Sequence, residues 1–379
     1  MKITIFGDIC PTKDTQVAFD QGNRKAVFGE VLKEIDESDI VIGNLECAVT
    51  NSPKPIKKAG PVLYANSQSL KILNGFDALC LANNHIRDCG DEGVMTAIDV
   101  CKSLGIRTFG AGDNLTAARK PLVIEKSGIR VGVMAFAEQE FNIATDIRPG
   151  ACYLDLYNDF DSIRDFRKTV DYLIILYHGG IEYFPYASPE LRLKCRKMVD
   201  CGADLVSCQH SHCIGTIEQY QNATIVYGQG NSVFGYRDGD KSWNRGLLLQ
   251  IELNHISDLT LKKANVQFSY RGMVATPNGL CWMDEDSFKA LNEELRMRAN
   301  ASDETVKNAW DEFCENFGKI HLPLLLGWPR IMIAINRRMH NGLIKLLYGR
   351  QAHNNSHNLI RCDAHREVIQ YILSKKDFE

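Results

Sequence analysis

Apolar positions in the first 280 residues fall into short runs that stop abruptly at polar clusters, and segments of helical spacing lie between many of them. Residues 2–8 alternate and then turn apolar, which predicts a strand ending at Gly7-Asp8. Val27, Val31, Leu32 and Ile35 predict a helix over 24–37, and 39–43 reads as the next strand, ending at Asn44-Leu45-Glu46. The stretch 52–61, with three prolines and three lysines, reads as loop. A helix near 67–74, a strand over 77–82 ending at Asn83-Asn84-His85, a helix over 92–104 and strands at 121–125 and 130–136 follow. The rhythm then continues with helix 158–170, strand 172–177, helix 189–201 and strand 204–208. Strands at 214–219, 223–227, 246–253 and 258–268 close this part. Such alternation followed by hairpins predicts a mixed α/β sheet system. Past residue 281 only helical spacing remains, at 285–299, 303–317, 324–348 and 363–374, so the pattern divides the chain into 1–284 and a helical appendage, 285–379.

Composition narrows the function classes. The 379 residues carry a formal net charge of −3, which argues against a nucleic-acid partner. Thirteen scattered cysteines, several inside apolar runs, read as small core residues of a reduced chain. With no signal-like leader and no run of about 18 apolar residues, the expected location is the cytoplasm.

Coordinating residues recur where the strands end. In order these are Asp8, Asn44 and Glu46, Asn83-Asn84-His85, His178, and the pair His210 and His212. In an extended segment residues two apart point the same way, so both imidazoles of that pair can serve one centre. Ligands in open α/β sheets collect outside the carboxyl ends of strands. Carboxylates, amide oxygens and imidazoles at five such ends together describe a two-metal site.

The motif set resembles the CapA family of capsule and poly-γ-glutamate biosynthesis proteins, within the calcineurin-like metallophosphoesterases. It consists of Ile5-Phe6-Gly7-Asp8; Gly43-Asn44-Leu45-Glu46; Asn83-Asn84-His85 with Asp88, Gly90 and Gly93; Gly110-Ala111-Gly112; His178-Gly179-Gly180-Ile181-Glu182-Tyr183; Gly202-Ala203-Asp204 before His210 and His212; and Tyr227 with Gly230-Asn231-Ser232-Val233-Phe234. The resemblance implies a four-layer α-β-β-α sandwich with two divalent cations (manganese, iron or zinc) at one edge. By the match, Asp8 and His212 would hold one cation, and Asn84, His178 and His210 the other. Glu46 or Asn44 would bridge them, and His85 would protonate the leaving oxygen. Asn231 lies near the metals in the family, and Glu182 is a candidate for substrate contact or for support of a ligand. Cys10 stands where many relatives of this superfamily carry histidine, and it reads as a core thiol or as an additional ligand.

The implied function is metal-dependent hydrolysis, phosphoester in type, in the synthesis of capsule or another surface polymer. The partner would be a surface-polymer or phosphorylated substrate. The same site could instead act on γ-glutamyl amides, or the chain could be a metal-stabilised scaffold. The appendage adds a separate expectation. No acidic residue occurs between Glu315 and Asp363, whereas Lys319, Arg330, Arg337, Arg338, Lys345, Arg350 and Arg361 alternate with apolar clusters. Residues 319–350 thus fit a peripheral contact with an anionic membrane surface, or an apolar face packed on the first domain.

Overall fold

The structure is a computed structural model and describes the chain apart from residues 13, 255–264, 326, 363, 367 and 370–379. Two large sheets organise the first part. One runs in the order Gly279–Trp282, Asn265–Thr276, Arg245–Asn254, Lys2–Ile9, Ile40–Leu45, Ala78–Cys80, Arg107–Phe109, with Asn231–Val233 parallel to the end of Lys2–Ile9. The other runs Ile217–Tyr220, Ala223–Val226, Leu205–Gln209, Tyr172–His178, Ile129–Ala137, Leu122–Lys126. The strands that end in coordinating residues are parallel neighbours within their sheets, so their carboxyl ends lie side by side.

Period-two patterning settles the layers. Along Tyr172–His178, Ile174 and Leu176 join a core shared with Ile3, Ile5 and Leu79 of the first sheet. Leu173, Ile175 and Tyr177 point the other way, into a second core with Ile163, Leu191, Cys195 and Met198. Those last residues lie on helices Asp159–Arg167 and Pro189–Asp200. The second helix begins as its sequence dictates, with Pro189 in the first turn and the Ser188 side chain accepting from the Leu191 N–H. On the outer side of the first sheet Phe6 meets Phe28 and Phe76, with ring centroids 6.1 and 5.2 Å apart. Helix Gly90–Ser103 buries Val94, Ala97 and Cys101 in the same core. The order is helix, sheet, sheet, helix, the α-β-β-α sandwich expected.

Three details depart from the periodicity. The helix over 24–37 is broken into Arg24–Phe28, Gly29–Val31 and Leu32–Glu37. Gly29 sits at φ +47°, and a Cβ there would lie 2.1 Å from the Leu280 carbonyl oxygen, so the helix bends to let another strand pass. The helix begun at 303 continues to Leu325 through Pro323, and the stretch 324–348 becomes Arg330–Arg338 and Gly342–Leu347. Of the strand expected over 258–268, positions 258–264 lie outside the described residues and Asn265–Thr276 is strand; of the helix expected over 363–374, positions 363, 367 and 370–374 lie outside them.

The chain divides into compact units at Met1–Ala301 and from Ser302 onward, not at 284. Helix Glu285–Ala299 stays with the first unit for identifiable reasons. Its Leu291 and Leu295 are buried in the sandwich core, and Arg298 Nη1 donates to the Ile214 carbonyl at 2.8 Å. Among its described residues the second unit is helical, with Arg350–Arg361 followed by further helical residues at 364–366 and 368–369. Within it the buried Asn336 joins two helices, accepting from the Ile344 N–H at 3.0 Å and donating to Asn341 at 2.8 Å. Leu324, Ile331, Ile335, Met339 and Leu346 are exposed, and among the described residues no helix is long and apolar enough to cross a membrane.

Candidate functional site

Each ligand candidate reaches the site because its strand ends there. Asp8 pairs in register with Asn44 on the neighbouring strand and with Asn231 on the other side. Asp8 Oδ1 accepts from Asn44 Nδ2 at 2.7 Å, and Oδ2 accepts from the His210 backbone N–H at 2.9 Å. That last bond ties the first sheet to the turn after Leu205–Gln209 in the second.

The two histidines of this turn are not in extended backbone. His210 lies at φ +89° and His212 at φ +51°, a region costly for residues with a Cβ. They belong to the turn beyond the strand, and the same-side argument for an extended segment does not describe them. Strained backbone aims the rings instead, with centroids 6.2 Å apart. His210 stands 4.9 Å from the His178 ring, while His212 packs 4.6 Å from Trp243. His212 Nδ1 meets Asn231 Oδ1 at 2.9 Å, and Asn231 Nδ2 donates to the Trp243 carbonyl at 2.9 Å. Asn231 therefore orients a ligand candidate, the usual task of an outer partner in a metal site.

His178 links the halves. Its Nδ1 lies 3.2 Å from Asn44 Nδ2, and its Nε2 lies 3.0 Å from Asn84 Oδ1 and 3.3 Å from Glu46 Oε1. Glu46, His178 and His210 form a buried group whose ligand atoms all lie within 4.8 Å of one another. Both Glu46 oxygens and His210 Nδ1 are buried without a hydrogen-bond partner. Buried polar atoms are almost always satisfied, so this donor set fits a cation: carboxylate and imidazole lone pairs converge on one place with nothing to receive them. The two candidates for the bridging position differ in their partners, since both Glu46 oxygens are without one. The Asn44 oxygen already accepts from Asn83 Nδ2 at 3.2 Å, and its nitrogen is held by Asp8.

The electrostatics agree. Burial, reinforced by the Glu46 charge, raises the Asp8 carboxyl to about 6. Burial raises Glu46 to about 8. Burial lowers His178 to about 4 and pushes His210 well below its ordinary value. Carboxyls that resist ionising beside imidazoles that resist protonation make a cluster whose members would each be relieved by a divalent cation.

Other residues fall into supporting positions. Asn83 is fully buried and braces the turn, donating to the Leu45 carbonyl at 2.8 Å and accepting from the His85 N–H at 3.1 Å. His85 Nδ1 meets Asp88 Oδ2 at 2.6 Å. Cys10 is buried with its thiol on the Pro11 carbonyl at 3.4 Å, and burial raises its pKa. It behaves as the core residue its position suggests. Glu182 is exposed at the wall of a cavity of about 680 Å³, lined also by Asn84, His85, His210, His212 and Lys58.

Three wall residues were not legible as functional. Trp243 and Arg237 come from a loop with no motif, and the guanidinium lies over the indole while donating to Tyr183 Oη at 3.4 Å. Lys58 comes from the proline- and lysine-rich loop, whose composition is that of solvated chain.

Residues 2–236 match the family model described as "Bacterial capsule synthesis protein PGA_cap". The capsule biosynthesis protein CapA of Bacillus anthracis is 28% identical over 256 residues, 65% of this chain and 61% of that protein. The PGA biosynthesis protein CapA of Bacillus subtilis (strain 168) is 28% identical over 252 residues, 65% of each. A probable polyglutamine synthesis accessory protein of Mycobacterium tuberculosis is 28% identical over 228 residues, 55% of this chain and 60% of that protein. The chain thus spans under two thirds of the length of these relatives. Among solved structures, a novel phosphatase from Mycoplasma pneumoniae is 13% identical, with a TM-score of 0.42 over 72% of this chain and 93% of that one.

Proposed function

The chain belongs to the family of bacterial capsule synthesis proteins whose model covers residues 2–236, and from that membership we propose a metal-dependent phosphoester hydrolase serving capsule or other surface-polymer synthesis. The observation that carries the proposal is the buried group of Glu46, His178 and His210, in which both Glu46 oxygens and His210 Nδ1 have no hydrogen-bond partner, with His85 and His210 on the wall of an open cavity. Asn84, His178 and His210 would hold one divalent cation, Asp8 and His212 a second, with Glu46 between. Manganese, iron or zinc bound there would supply Lewis-acid activation of water and charge neutralisation at a phosphoryl oxygen.

The chain's own residues do the rest. Asn231 and Asn44 hold the His212 and His178 rings in place. Asp88 accepts the His85 Nδ1–H, so when the ring carries a proton on each nitrogen it is the Nε2–H that can pass to the leaving oxygen, the ring returning to its Nδ1–H tautomer. The anion of Asp88 stabilises that ring while it is charged. Asp8 and the backbone at His210 keep the two sheets locked while the leaving group departs.

The test uses metal-loaded protein with alkyl and aryl phosphoesters, and with γ-glutamyl peptides for comparison. Proton donation matters most for poor leaving groups and contributes about 10²–10⁴-fold. His85→Asn should keep the bound metal, lose that much on an alkyl ester and lose less on an activated aryl ester. Turnover of the γ-glutamyl peptides alone would move the assignment to amide chemistry. Metal binding with no turnover of any substrate would make the chain a scaffold.

A further inference from the structure

Lys58 is the residue most out of keeping with its sequence context. It lies in a loop with three prolines and three lysines, yet its side chain is 2% exposed, against 1% for its partner Asp88. An ammonium group is seldom buried unless it is paired and has a reason to be there. Its Nζ lies 2.6 Å from Asp88 Oδ1 and 3.3 Å from His85 Nδ1. The other Asp88 oxygen meets His85 Nδ1 at 2.6 Å and accepts from the Leu63 N–H at 2.8 Å. The Asp88 carbonyl accepts from the Ile56 N–H at 3.0 Å.

These contacts divide the carboxylate cleanly. With its Nδ1 proton given to Oδ2, the His85 ring has no lone pair there for Lys58, so the 3.3 Å approach is a contact and not a bond. Lys58 therefore acts on Oδ1 alone. It fixes the carboxylate plane so that Oδ2 faces the imidazole, and the same contact draws the loop bearing Ala59, Gly60 and Pro61 against the cavity as its wall. We propose that Lys58 is a positioning residue for proton delivery. Through Asp88 it keeps the His85 Nδ1–H engaged and the ring oriented so that Nε2, which carries the second proton when the ring is protonated on both nitrogens, faces the cavity. The inference rests on the reading of His85 as the proton donor given above.

The experiment compares four full-length, Mn²⁺-loaded proteins: the unsubstituted chain, Lys58→Met, His85→Asn and the double variant. Each is assayed on an alkyl phosphomonoester and on p-nitrophenyl phosphate. Removing an outer partner of this kind costs about 10- to 100-fold in activity. Lys58→Met should lose that much kcat on the alkyl ester with little change in KM, lose less on the aryl ester, and cost nothing further once His85 is Asn. Lys58→Arg, which keeps the charge, should recover part of the loss, and it carries the same comparison if Lys58→Met does not fold. Multiplicative losses in the double variant, or equal losses on both esters from Lys58→Met alone, overturn the inference and leave the His85 assignment standing. Equal losses on both esters from His85→Asn overturn the His85 assignment, and the inference with it. A readout independent of turnover is the ¹⁵N spectrum of the His85 ring, assigned by difference with His85→Asn. For the neutral ring, the form left after proton delivery, loss of the pure Nδ1–H tautomer in Lys58→Met supports the inference, and an unchanged spectrum overturns it.

Discussion

Replacing Glu46 by glutamine should have opposite effects on the chain with and without metal. The substitution keeps the shape of the side chain and removes its charge. Glu46 is fully buried, and its pKa rises from 4.5 to about 8 because burial disfavours the ionised form. In metal-free protein the folded state therefore holds a proton that the unfolded state has released between pH 4.5 and 8. The carboxyl's contribution to stability is fully present below pH 4.5 and is lost as pH rises through 8. From pH 5 to pH 8 each pH unit costs up to about 1.4 kcal/mol, so the loss approaches roughly 4 kcal/mol. Water reaching the site through the cavity makes roughly 2–4 kcal/mol the expected range. Glutamine does not titrate, so in EDTA the stability of Glu46→Gln relative to the unsubstituted chain should increase by that amount between the two pH values. His178, whose pKa is lowered from 6.5 to about 4, contributes the opposite trend between those values. It does so in both proteins and largely cancels in the difference. Guanidinium chloride unfolding at pH 5 and pH 8, with EDTA and then with Mn²⁺, measures all of this. With Mn²⁺ the order should reverse, because a ligand at about 1,000 times its Kd adds about 4 kcal/mol to the chain that binds it. A pH-independent difference in EDTA, or equal stabilisation of both proteins by Mn²⁺, would refute the reasoning.

Metal content offers a second check: His210→Ala and Asp8→Ala should each lower bound Mn²⁺ measured by atomic emission, and Cys10→Ser should leave it nearly unchanged. Leu291→Ala should destabilise the first unit by about 2–5 kcal/mol in chemical unfolding, because this buried leucine makes helix Glu285–Ala299 part of the sandwich core. The second unit exposes Ile331, Ile335, Met339 and Leu346 among basic residues. The full chain should therefore co-sediment with anionic but not neutral vesicles, each cation near the surface adding about 1 kcal/mol. Ending the chain at Ala301 should abolish that binding and leave hydrolysis of a small soluble ester intact.

The sequence alone determined the alternation of strands and helices, and with it the mixed α/β class. Apolar runs such as 172–177 are long enough to be buried on both faces, which fits a mixed α/β system, while the two-sheet layering was expected only from the family resemblance. It also determined which residues stand at the strand ends, because Asp8, Asn44, His178 and the 210–212 pair each interrupt an apolar run. What it could not determine depends on atoms brought together from distant segments. Asn44 and Glu46 are equivalent as letters, and they separate only when Asn83, 39 residues away from Asn44, takes the Asn44 oxygen while both Glu46 oxygens stay empty. The His210 and His212 rings were legible as a pair, but their aim is set by left-handed backbone that no local pattern announces. The break at Gly29 comes from the Leu280 carbonyl, and the place of helix Glu285–Ala299 comes from the core it covers. Lys58 is the clearest case: its loop reads as solvent-exposed chain, and Asp88, 30 residues on, turns one of its three lysines into a buried cation beside the candidate proton donor. Periodicity reports which face of an element is covered, whereas pairing between distant polar groups is fixed only when the folded chain excludes water from around them.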